Sequence, residues 1–361
     1  MLIQPCKNGF YYVLDAATGE LLVATPFTQV NWAKGVDLKT GRPIVVPESR
    51  YQNKAFNLRP GVQGAHGWHA NAYSPDTGLI YVATQDAAFP MVPDAKFTPS
   101  TVGYNLGLDF TAPATYYQKN PTEQGGFVGF LQALDPATGK TVWRTKENQG
   151  PTGGALATAG GLVFQGGGSD SEFRAFDAKT GQLLWSFATQ TASLAPPISY
   201  ELDGKQYVAV SVGGQVPGGY FAPNYSRLLV FALDGKATLP ATVAYTPPPL
   251  DPPASTASAQ VIAAGHDAYG KYCAACHGQN GQTRGSTFPN LMVTPLLKSP
   301  EGFDQVVLGG VRASRGMASF SAVLKPEDSA AIREYVISIA NEAKAKQAPP
   351  PPASAPKQAH E

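Results

Sequence analysis

Three residues in one short segment have the types and the spacing of a covalent haem site. Cys273 and Cys276 are separated by two residues, and His277 follows the second cysteine directly. This Cys-x-x-Cys-His pattern is typical of c-type haem attachment, in which both thiols form thioethers with the haem and the histidine binds the iron. A redox dithiol and half of a zinc site are the alternatives, but the chain has no second Cys-x-x-Cys to complete a zinc site. The pattern therefore predicts haem c on Cys273 and Cys276, with His277 as an axial ligand.

The second axial ligand of the iron is expected on the C-terminal side of this motif. Met317 and Met292 are the candidates. Met317 lies in a loop before the last predicted helix, where small cytochromes c place this ligand. Met292 follows Pro289-Asn290-Leu291 and could equally fill the core. We therefore expect Met317 to bind the iron, and a methionine ligand would raise the reduction potential.

The region that must position these residues has helical periodicity. Val261, Ile262 and Tyr269 predict a helix that precedes the haem motif and packs against the haem. Apolar residues at i, i+3, i+4 and i+7 predict a closing helix over residues 326–342, with Pro326 in its first turn. The apolar positions of the closing helix are Ile332, Tyr335, Val336 and Ile339.

The composition of the chain changes several times along its length. We predict a β-rich domain over residues 1–238, a Pro-rich linker over 239–258, a helical cytochrome c domain over 259–344 and a disordered tail over 345–361. In the first of these segments, short β-branched and aromatic runs alternate with turn residues, which is typical of strands. The predicted fold is therefore an all-β region followed by a small all-α domain.

The β-rich segment contains an internal repeat. Residues 133–143 and 175–185 share the pattern Asp-x-x-Thr-Gly-x-x-x-Trp and start 42 residues apart. A third copy spans residues 13–22, and a degenerate copy spans 231–235. Each copy is expected to be a strand, an Asp-Gly turn and a second strand, with the Trp packing one unit against the next. A period of about 40–45 residues with four strands per unit indicates a β-propeller rather than a β-sandwich.

The composition excludes several classes of protein. The chain has 361 residues, 38 Gly, 32 Pro and only 15% charged residues, which argues against a coiled coil or a helical bundle. Its formal net charge of +1 gives no electrostatic basis for binding nucleic acid. No apolar run approaches the roughly 20 residues that span a bilayer. Three cysteines, two of them in the haem motif, do not make a disulfide framework.

The blade repeat resembles that of the pyrroloquinoline quinone (PQQ) dehydrogenases, which have an eight-bladed propeller. The resemblance covers nearly the whole chain and is strongest to the quinohaemoprotein alcohol dehydrogenases of type II, in which a cytochrome c domain follows the propeller. The repeats account for about four blades, and the segment 87–126 resembles an insertion. We therefore expect a partial propeller, corresponding to the C-terminal portion of such an enzyme.

The resemblance also implies a quinone site. A Lys in a Lys-Asn-Gly-Phe segment contacts the quinone oxygens in this family, and here that residue is Lys7. Asn31 and Trp32 match a family Asn-Trp pair at the edge of the quinone ring; a structural Trp is the alternative. The segment around His69 matches a family strand, and we interpret His69 as a hydrogen-bonded propeller histidine rather than a catalytic one. Cys6 is interpreted as a packing residue.

The resemblance further implies which parts are missing. The general-base Asp and the calcium ligands of the family lie in the N-terminal half of the propeller and have no counterpart here. We therefore identify no catalytic residue in this chain and expect it to be catalytically incomplete alone, with a further propeller segment or a second copy completing the ring. Haem attachment to this motif takes place on the exported side in bacteria, so a periplasmic location is expected although residues 1–15 do not form a signal peptide.

The leading hypothesis is thus a quinohaemoprotein alcohol dehydrogenase that oxidises a small alcohol at PQQ, with calcium, and passes electrons through haem c. The acceptor would be an external cytochrome, copper protein or quinone. The first alternative is a non-catalytic electron-transfer protein in which the half-propeller is a scaffold. The second is a related PQQ enzyme for sugars or polymeric alcohols.

Overall fold

The computed structural model of the chain contains two compact units. The first unit holds the strands and helix α1 (Pro113–Lys119), and the second holds helices α2 (Ala259–Tyr272), α3 (Ala274–His277), α4 (Pro300–Val307) and α5 (Pro326–Lys346). No helix of the described part is long and apolar enough to cross a membrane. The structure describes residues 1–99, 105–146, 148–150, 152–213, 225–242, 248–278, 280–281 and 288–346.

Short antiparallel strands make up most of the first unit, as the alternation of apolar runs and turn residues predicts. In chain order they are β1 (Leu2–Pro5), β2 (Phe10–Leu14), β3 (Leu21–Pro26), β4 (Ala33–Asp37), β5 (Arg42–Val45), β6 (Phe56–Leu58), β7 (Ala72–Ser74), β8 (Leu79–Asp86), β9 (Phe89–Met91), β10 (Val128–Leu134), β11 (Thr141–Arg144), β12 (Asn148–Gln149), β13 (Thr152–Ala157), β14 (Leu162–Gly167), β15 (Glu172–Asp177), β16 (Leu183–Ala188), β17 (Ile198–Leu202), β18 (Lys205–Val212) and β19 (Arg227–Ala232).

These strands form four main sheets in sequence order, which confirms the predicted partial propeller. The sheets have the strand orders β1-β2-β3, β7-β8-β10-β11, β13-β14-β15-β16 and β17-β18-β19, with β12 paired to β10. Two two-stranded sheets lie outside the main sheets: the hairpin β4-β5 and the pair β6-β9. Strands β8 and β10 pair directly although the segment 87–127 separates them, so this segment is an insertion within one blade.

The Asp-x-x-Thr-Gly segments form the turns between paired strands. In one of them the Asp135 Oδ1 accepts hydrogen bonds from the backbone N–H of Ala137 at 3.0 Å and of Thr138 at 2.8 Å. Gly139 then adopts a φ of 68°, which a residue with a Cβ rarely does. The side chain of Asp therefore fixes the start of the turn and Gly closes it.

Two features of the turn motif differ from the sequence interpretation. Residues 37–41 form the same turn in the β4–β5 hairpin, where Asp37 Oδ1 accepts from the N–H of Lys39 at 2.8 Å. The motif therefore marks a hairpin, and not every copy marks a blade. In the degenerate copy, Asp234 lies in a left-handed turn with φ 64°, but no second strand follows within the described residues 235–242. That copy lacks the Thr that would complete the turn.

Aromatic side chains join the first main sheet to a turn of the second, and the second to a turn of the third. The Trp143 Nε1–H and the buried Tyr81 hydroxyl both donate to the Ala178 carbonyl, at 3.1 and 3.0 Å. Tyr11, which is fully buried, donates in the same way to the Pro136 carbonyl at 3.1 Å. Burying an aromatic side chain contributes on the order of 1.5–3 kcal/mol, and its polar atom is satisfied by the neighbouring turn. This packing confirms the expected role of the repeat Trp at position 143.

The helical unit is built around the crossing of α2 and α5. Ser258 caps α2 by accepting from the Val261 N–H at 3.4 Å. At the crossing, a Cβ on Gly265 would overlap the Ala331 carbonyl oxygen, so only glycine allows this helix separation. The Tyr269 and Tyr335 rings lie 5.2 Å apart beside the crossing.

The predicted closing helix is confirmed and is longer than expected. It continues to Lys346, so the predicted tail does not begin at residue 345, and residues 347–361 lie outside the described part. The described residues of the proposed linker, 239–242 and 248–258, contain neither helix nor strand. The proposed domain boundaries at 238 and 258 remain predictions.

Candidate functional site

The three residues of the haem motif lie at the junction of α2 and α3. The Cys273 N–H donates to the Tyr269 carbonyl at 2.8 Å, and the His277 N–H donates to the Cys273 carbonyl at 2.9 Å. The motif therefore follows one helical path, which ends at Gly278 with a φ of 77°. Cys273 and His277 are buried, whereas Cys276 is exposed. Burial, followed by the charge of Cys276, raises the pKa of the Cys273 thiol to about 12.

The His277 ring is held by a hydrogen bond to a backbone carbonyl. Its Nδ1 lies 3.1 Å from the Pro289 oxygen. A carbonyl only accepts, so Nδ1 carries the proton and Nε2 keeps the lone pair that a metal ion would bind. Burial lowers the pKa of His277, which favours this neutral form. The Phe288 ring lies edge-on at 6.2 Å. This arrangement fits a haem iron ligand.

Both candidate methionines belong to the apolar cluster that contains Cys273. Met292 is buried, and its N–H donates to the Asn290 side chain at 3.0 Å. Met317 is partly buried and follows Gly316, whose φ is 89°. The turn places Met317 between the short 3-10 helix Ala313–Arg315 and α5, as the sequence predicts. The assignment of Met317 as the axial ligand remains a prediction.

A cleft of about 670 Å³ lies in the first unit, and Lys7 and Trp32 both line it. Lys7 follows β1; its carbonyl accepts from the Ala65 N–H at 2.9 Å, and a Cβ on Gly64 would overlap its side chain. The Trp32 Nε1–H donates to the Asn8 carbonyl at 2.9 Å. A backbone hydrogen bond and the close packing of Gly64 thus fix Lys7 at the cleft, and a hydrogen bond from its indole fixes Trp32 there.

Asn31 lies next to Trp32, but its amide is used within the protein. Its Nδ2 donates to the Asn57 carbonyl at 2.8 Å, and its Oδ1 accepts from the Arg59 N–H at 2.7 Å. Asn31 is not among the residues that line the cleft. Its side chain therefore holds the segment 57–59, which leads into the cleft-lining Pro60.

His69 is buried and forms a hydrogen bond through one ring nitrogen, so the expectation of a satisfied propeller histidine holds at Nε2 but not at Nδ1. Its Nε2 lies 3.2 Å from the Gln85 amide nitrogen, but its Nδ1 has no hydrogen-bond partner in the described part. The exposed Trp68 indole stacks on its ring at 4.5 Å. Burial, followed by the charge of His66, lowers the pKa of His69 to about 4. Cys6 is half-buried, and burial raises its pKa.

Three groups at these sites were not identified from the sequence. The Pro289 carbonyl orients His277, and Arg50 and Tyr51 line the cleft with Lys7. Every residue has a backbone carbonyl, so the residue type at position 289 does not show that this carbonyl accepts from His277. Arg50 and Tyr51 follow the β4–β5 hairpin, and its Asp37–Gly41 turn was the available signal for an element there.

Comparison with known proteins supports both halves of this description. Residues 146–208 match the family model of the glucose/ethanol/alcohol dehydrogenase β-propeller domain, and residues 260–336 match that of cytochrome c oxidase, cbb3-type, subunit III. The fold and the motif therefore define a propeller segment joined to a cytochrome c unit.

Individual relatives match the chain over nearly its whole length. A quinohemoprotein alcohol dehydrogenase, ADH IIB, of Pseudomonas putida is 38% identical over 94% of this chain and 49% of its own length. The dehydrogenase subunit of a quinone alcohol dehydrogenase from Acetobacter aceti is 38% identical over 95% of this chain and 48% of its own. The structure of quinohemoprotein alcohol dehydrogenase ADHIIG from Pseudomonas putida superposes with a TM-score of 0.78 at 31% identity, over 95% of this chain and 52% of that one.

The chain is similar over nearly its whole length to quinohaemoprotein alcohol dehydrogenases. It spans about half the length of the relatives that it matches.

Proposed function

We propose that this chain supplies one wall of the quinone site and the electron exit of a PQQ-dependent alcohol dehydrogenase. In the proposed reaction a small alcohol is oxidised at PQQ, and the electrons leave through haem c to an external acceptor. The observation that carries the proposal is that Lys7 and Trp32, selected by sequence resemblance, line one cleft. The family relationship of the chain supports the same reaction.

The residues of this chain would have separate roles at the two groups. When bound, PQQ would accept two electrons from the alcohol, and haem c would carry them away one at a time. The Lys7 ammonium would lie beside the quinone oxygens, Trp32 would lie at the ring edge, and Asn31 would hold the adjoining segment. Cys273 and Cys276 would hold haem c covalently.

Two residues of this chain would hold the iron. His277 would bind through Nε2, because Nδ1 donates to the Pro289 carbonyl. Met317 would be the second residue that holds the iron, and its thioether would raise the reduction potential. The hydrogen bond to Pro289 would also fix the orientation of the imidazole plane.

Calcium, location and partners are proposed on the family relationship alone. The family relationship implies that the calcium ligands would come from a further propeller segment. In the described part of the chain, no group of three or more His, Cys, Asp or Glu is arranged to hold a metal ion. We propose a periplasmic location, because covalent haem attachment to this motif takes place there in bacteria. The acceptor would be a cytochrome, a copper protein or a quinone.

A non-catalytic electron-transfer protein is the second candidate. One observation favours it: none of the described residues lining the cleft is Asp or Glu, so the cleft presents no carboxylate general base. In that case the helical unit would accept and donate electrons, and the propeller segment would act as a scaffold.

Binding of PQQ separates the two candidates. The haem-loaded chain is produced in an exporting, haem-maturing host and titrated with PQQ, and binding is followed by quenching of tryptophan fluorescence. Reduction by ascorbate is the control for a competent haem. If the proposal is correct, the chain binds PQQ and Lys7→Ala weakens this binding. A chain with a competent haem that does not bind PQQ would favour the electron-transfer protein.

A further inference from the structure

We infer that Arg50 is a second ligand-binding cation of the cleft and that it binds a carboxylate of the quinone. Lys7, assigned to the quinone oxygens, and Arg50 both line the cleft. The inference rests on the proposed function, because it takes PQQ as the occupant. It adds a selectivity to that function: the site would prefer a planar quinone that carries carboxylates over one that does not.

Trp32 forms hydrogen bonds with both segments that carry the cations, the one around Lys7 and the one before Arg50. Its Nε1–H donates to the carbonyl of Asn8, the neighbour of Lys7, at 2.9 Å. Its own carbonyl accepts from the Val46 N–H at 2.9 Å and from the Ser49 hydroxyl at 3.3 Å. The Phe10 ring packs edge-on against the indole at 5.9 Å and 89°. The segments that carry Lys7 and Arg50 are therefore both hydrogen-bonded to the same aromatic residue.

The residue after Arg50 fixes the direction of its backbone. Tyr51 adopts a left-handed conformation with φ 43°, which non-glycine residues rarely occupy, and its N–H donates to the Glu48 carbonyl at 3.2 Å. Its hydroxyl donates to the Leu106 carbonyl in the insertion at 3.1 Å. Tyr51 is thus held by one hydrogen bond from its backbone and one from its hydroxyl. These bonds keep the end of the 3-10 helix Pro47–Arg50 at the cleft.

The charge of the cleft favours a polyanionic ligand. No Asp or Glu is among its described lining residues, and neither Lys7 nor Arg50 forms an ion pair within the described part. A negatively charged ligand in this cleft would be attracted by both cations and repelled by no lining carboxylate.

The two cations suit different parts of the quinone. The ammonium of Lys7 is a compact charge that can approach a single oxygen, whereas the planar guanidinium of Arg50 can donate two parallel hydrogen bonds to a carboxylate. A quinone whose carboxylates are esterified keeps its ring oxygens and loses its charge. Such an ester would keep the interaction with Lys7 and lose the interaction with Arg50.

The test measures binding of PQQ and of its uncharged trimethyl ester to the complete haem-loaded chain, by quenching of tryptophan fluorescence. Arg50→Gln is expected to weaken PQQ binding roughly 10-fold and to leave ester binding within about twofold of wild type. Lys7→Gln is expected to weaken both ligands. Arg42→Gln, an exposed arginine at the start of β5, is the matched control and should change neither. The haem spectrum and near-ultraviolet circular dichroism confirm folding of each variant.

Three results would overturn the inference. If Arg50→Gln leaves PQQ binding unchanged while Lys7→Gln weakens it, the quinone site stands and Arg50 is not part of it. If Arg50→Gln weakens PQQ and the ester equally, the arginine shapes the cleft and does not bind a carboxylate. If the wild-type chain binds neither ligand, the quinone part of the proposed function fails together with this inference.

Discussion

The two units of this protein present their candidate sites in different ways. The haem motif occupies one short helical path, and the residues around it form a single apolar cluster that includes Cys273 and both candidate methionines. The cleft of the propeller segment is assembled from distant segments, with Lys7 after β1, Trp32 before β4 and Arg50 after β5. The apolar residues of this unit are divided among several smaller clusters.

The difference teaches which features of a site can be inferred locally. The haem site depends on residue types that lie next to each other, so one segment defines it. The cleft depends on hydrogen bonds between turns, such as those of Trp32 to Asn8 and Val46. Substitutions should therefore act on the haem site by removing a chemical group, and on the propeller by changing how turns and blades pack.

The largest effect is expected at the haem motif. Cys276→Ser or Cys273→Ser removes one of the two thioether positions and should reduce the haem held after denaturation, and the double variant should hold none. Cys6→Ser is the matched control, because it removes the other thiol of the chain and lies in the propeller segment. Haem staining of denaturing gels measures the covalent attachment. Full attachment in both motif variants would contradict the haem assignment.

The next largest effect is expected on the reduction potential of the haem, when one of the two candidate methionines is replaced. Met317→Ala should remove an iron ligand and lower the reduction potential on the order of 0.1 V, within the range of about 0.8 V that axial ligands cover. Met292→Ala should leave the potential nearly unchanged but destabilise the unit by about 2–5 kcal/mol, because Met292 is buried. Spectroelectrochemistry and denaturant unfolding give the two quantities. The reverse pattern would assign the ligand to Met292.

Acid should weaken the propeller segment through His69. Its pKa is lowered to about 4 in the folded protein, against an ordinary value of 6.5. The unfolded chain therefore binds the proton more tightly, and about 3 kcal/mol of stability present above pH 6.5 is lost as the pH falls through 4. His69→Gln should remove most of this pH dependence, while His66, whose pKa burial also lowers, contributes the rest.

Near-ultraviolet circular dichroism during urea unfolding at several pH values measures this effect. His266→Gln is the control, because His266 is an exposed histidine in the helical unit. An equal pH dependence in wild type and His69→Gln would contradict the prediction.

Much of the fold and part of the site can be predicted from the sequence. The repeat indicates the propeller because the same hydrogen bond, from the Thr N–H to the Asp carboxylate, recurs in successive turns, as at Asp135 and Asp177. The predicted haem attachment at Cys273, Cys276 and His277 follows from residue types and spacing in one segment. Arg50 cannot be found this way, since its position depends on the left-handed Tyr51 and on hydrogen bonds of its turn to Trp32. The orphaned Nδ1 of His69 likewise results from packing that no local pattern encodes.

The smallest effect separates the packing of blades from the geometry of their turns. Gly181 and Gly19 occupy equivalent turns with φ of 74° and 76°. A Cβ on Gly181 would lie 2.5 Å from the Trp143 ring, whereas nothing lies within 4 Å of a Cβ on Gly19. Gly19→Ala should therefore lower the free energy of unfolding by roughly 1–2 kcal/mol, because alanine is strained in a left-handed conformation. Gly181→Ala should lower it by about 1–3 kcal/mol more, because its methyl group also overlaps the Trp143 ring.

Denaturant unfolding followed by tryptophan fluorescence gives both free energies, and the haem absorbance reports separately on the helical unit. Trp143→Phe in the Gly181→Ala background completes the cycle, because a smaller ring leaves room for the added methyl group. If the aromatic contact joins the blades, the two substitutions together should cost less than the sum of their separate effects. The prediction is contradicted if the changes in the free energy of unfolding are strictly additive, or are equal for Gly19→Ala and Gly181→Ala. Either result would mean that the Trp143 ring moves aside at no cost in stability and that the turns alone determine how adjacent blades pack.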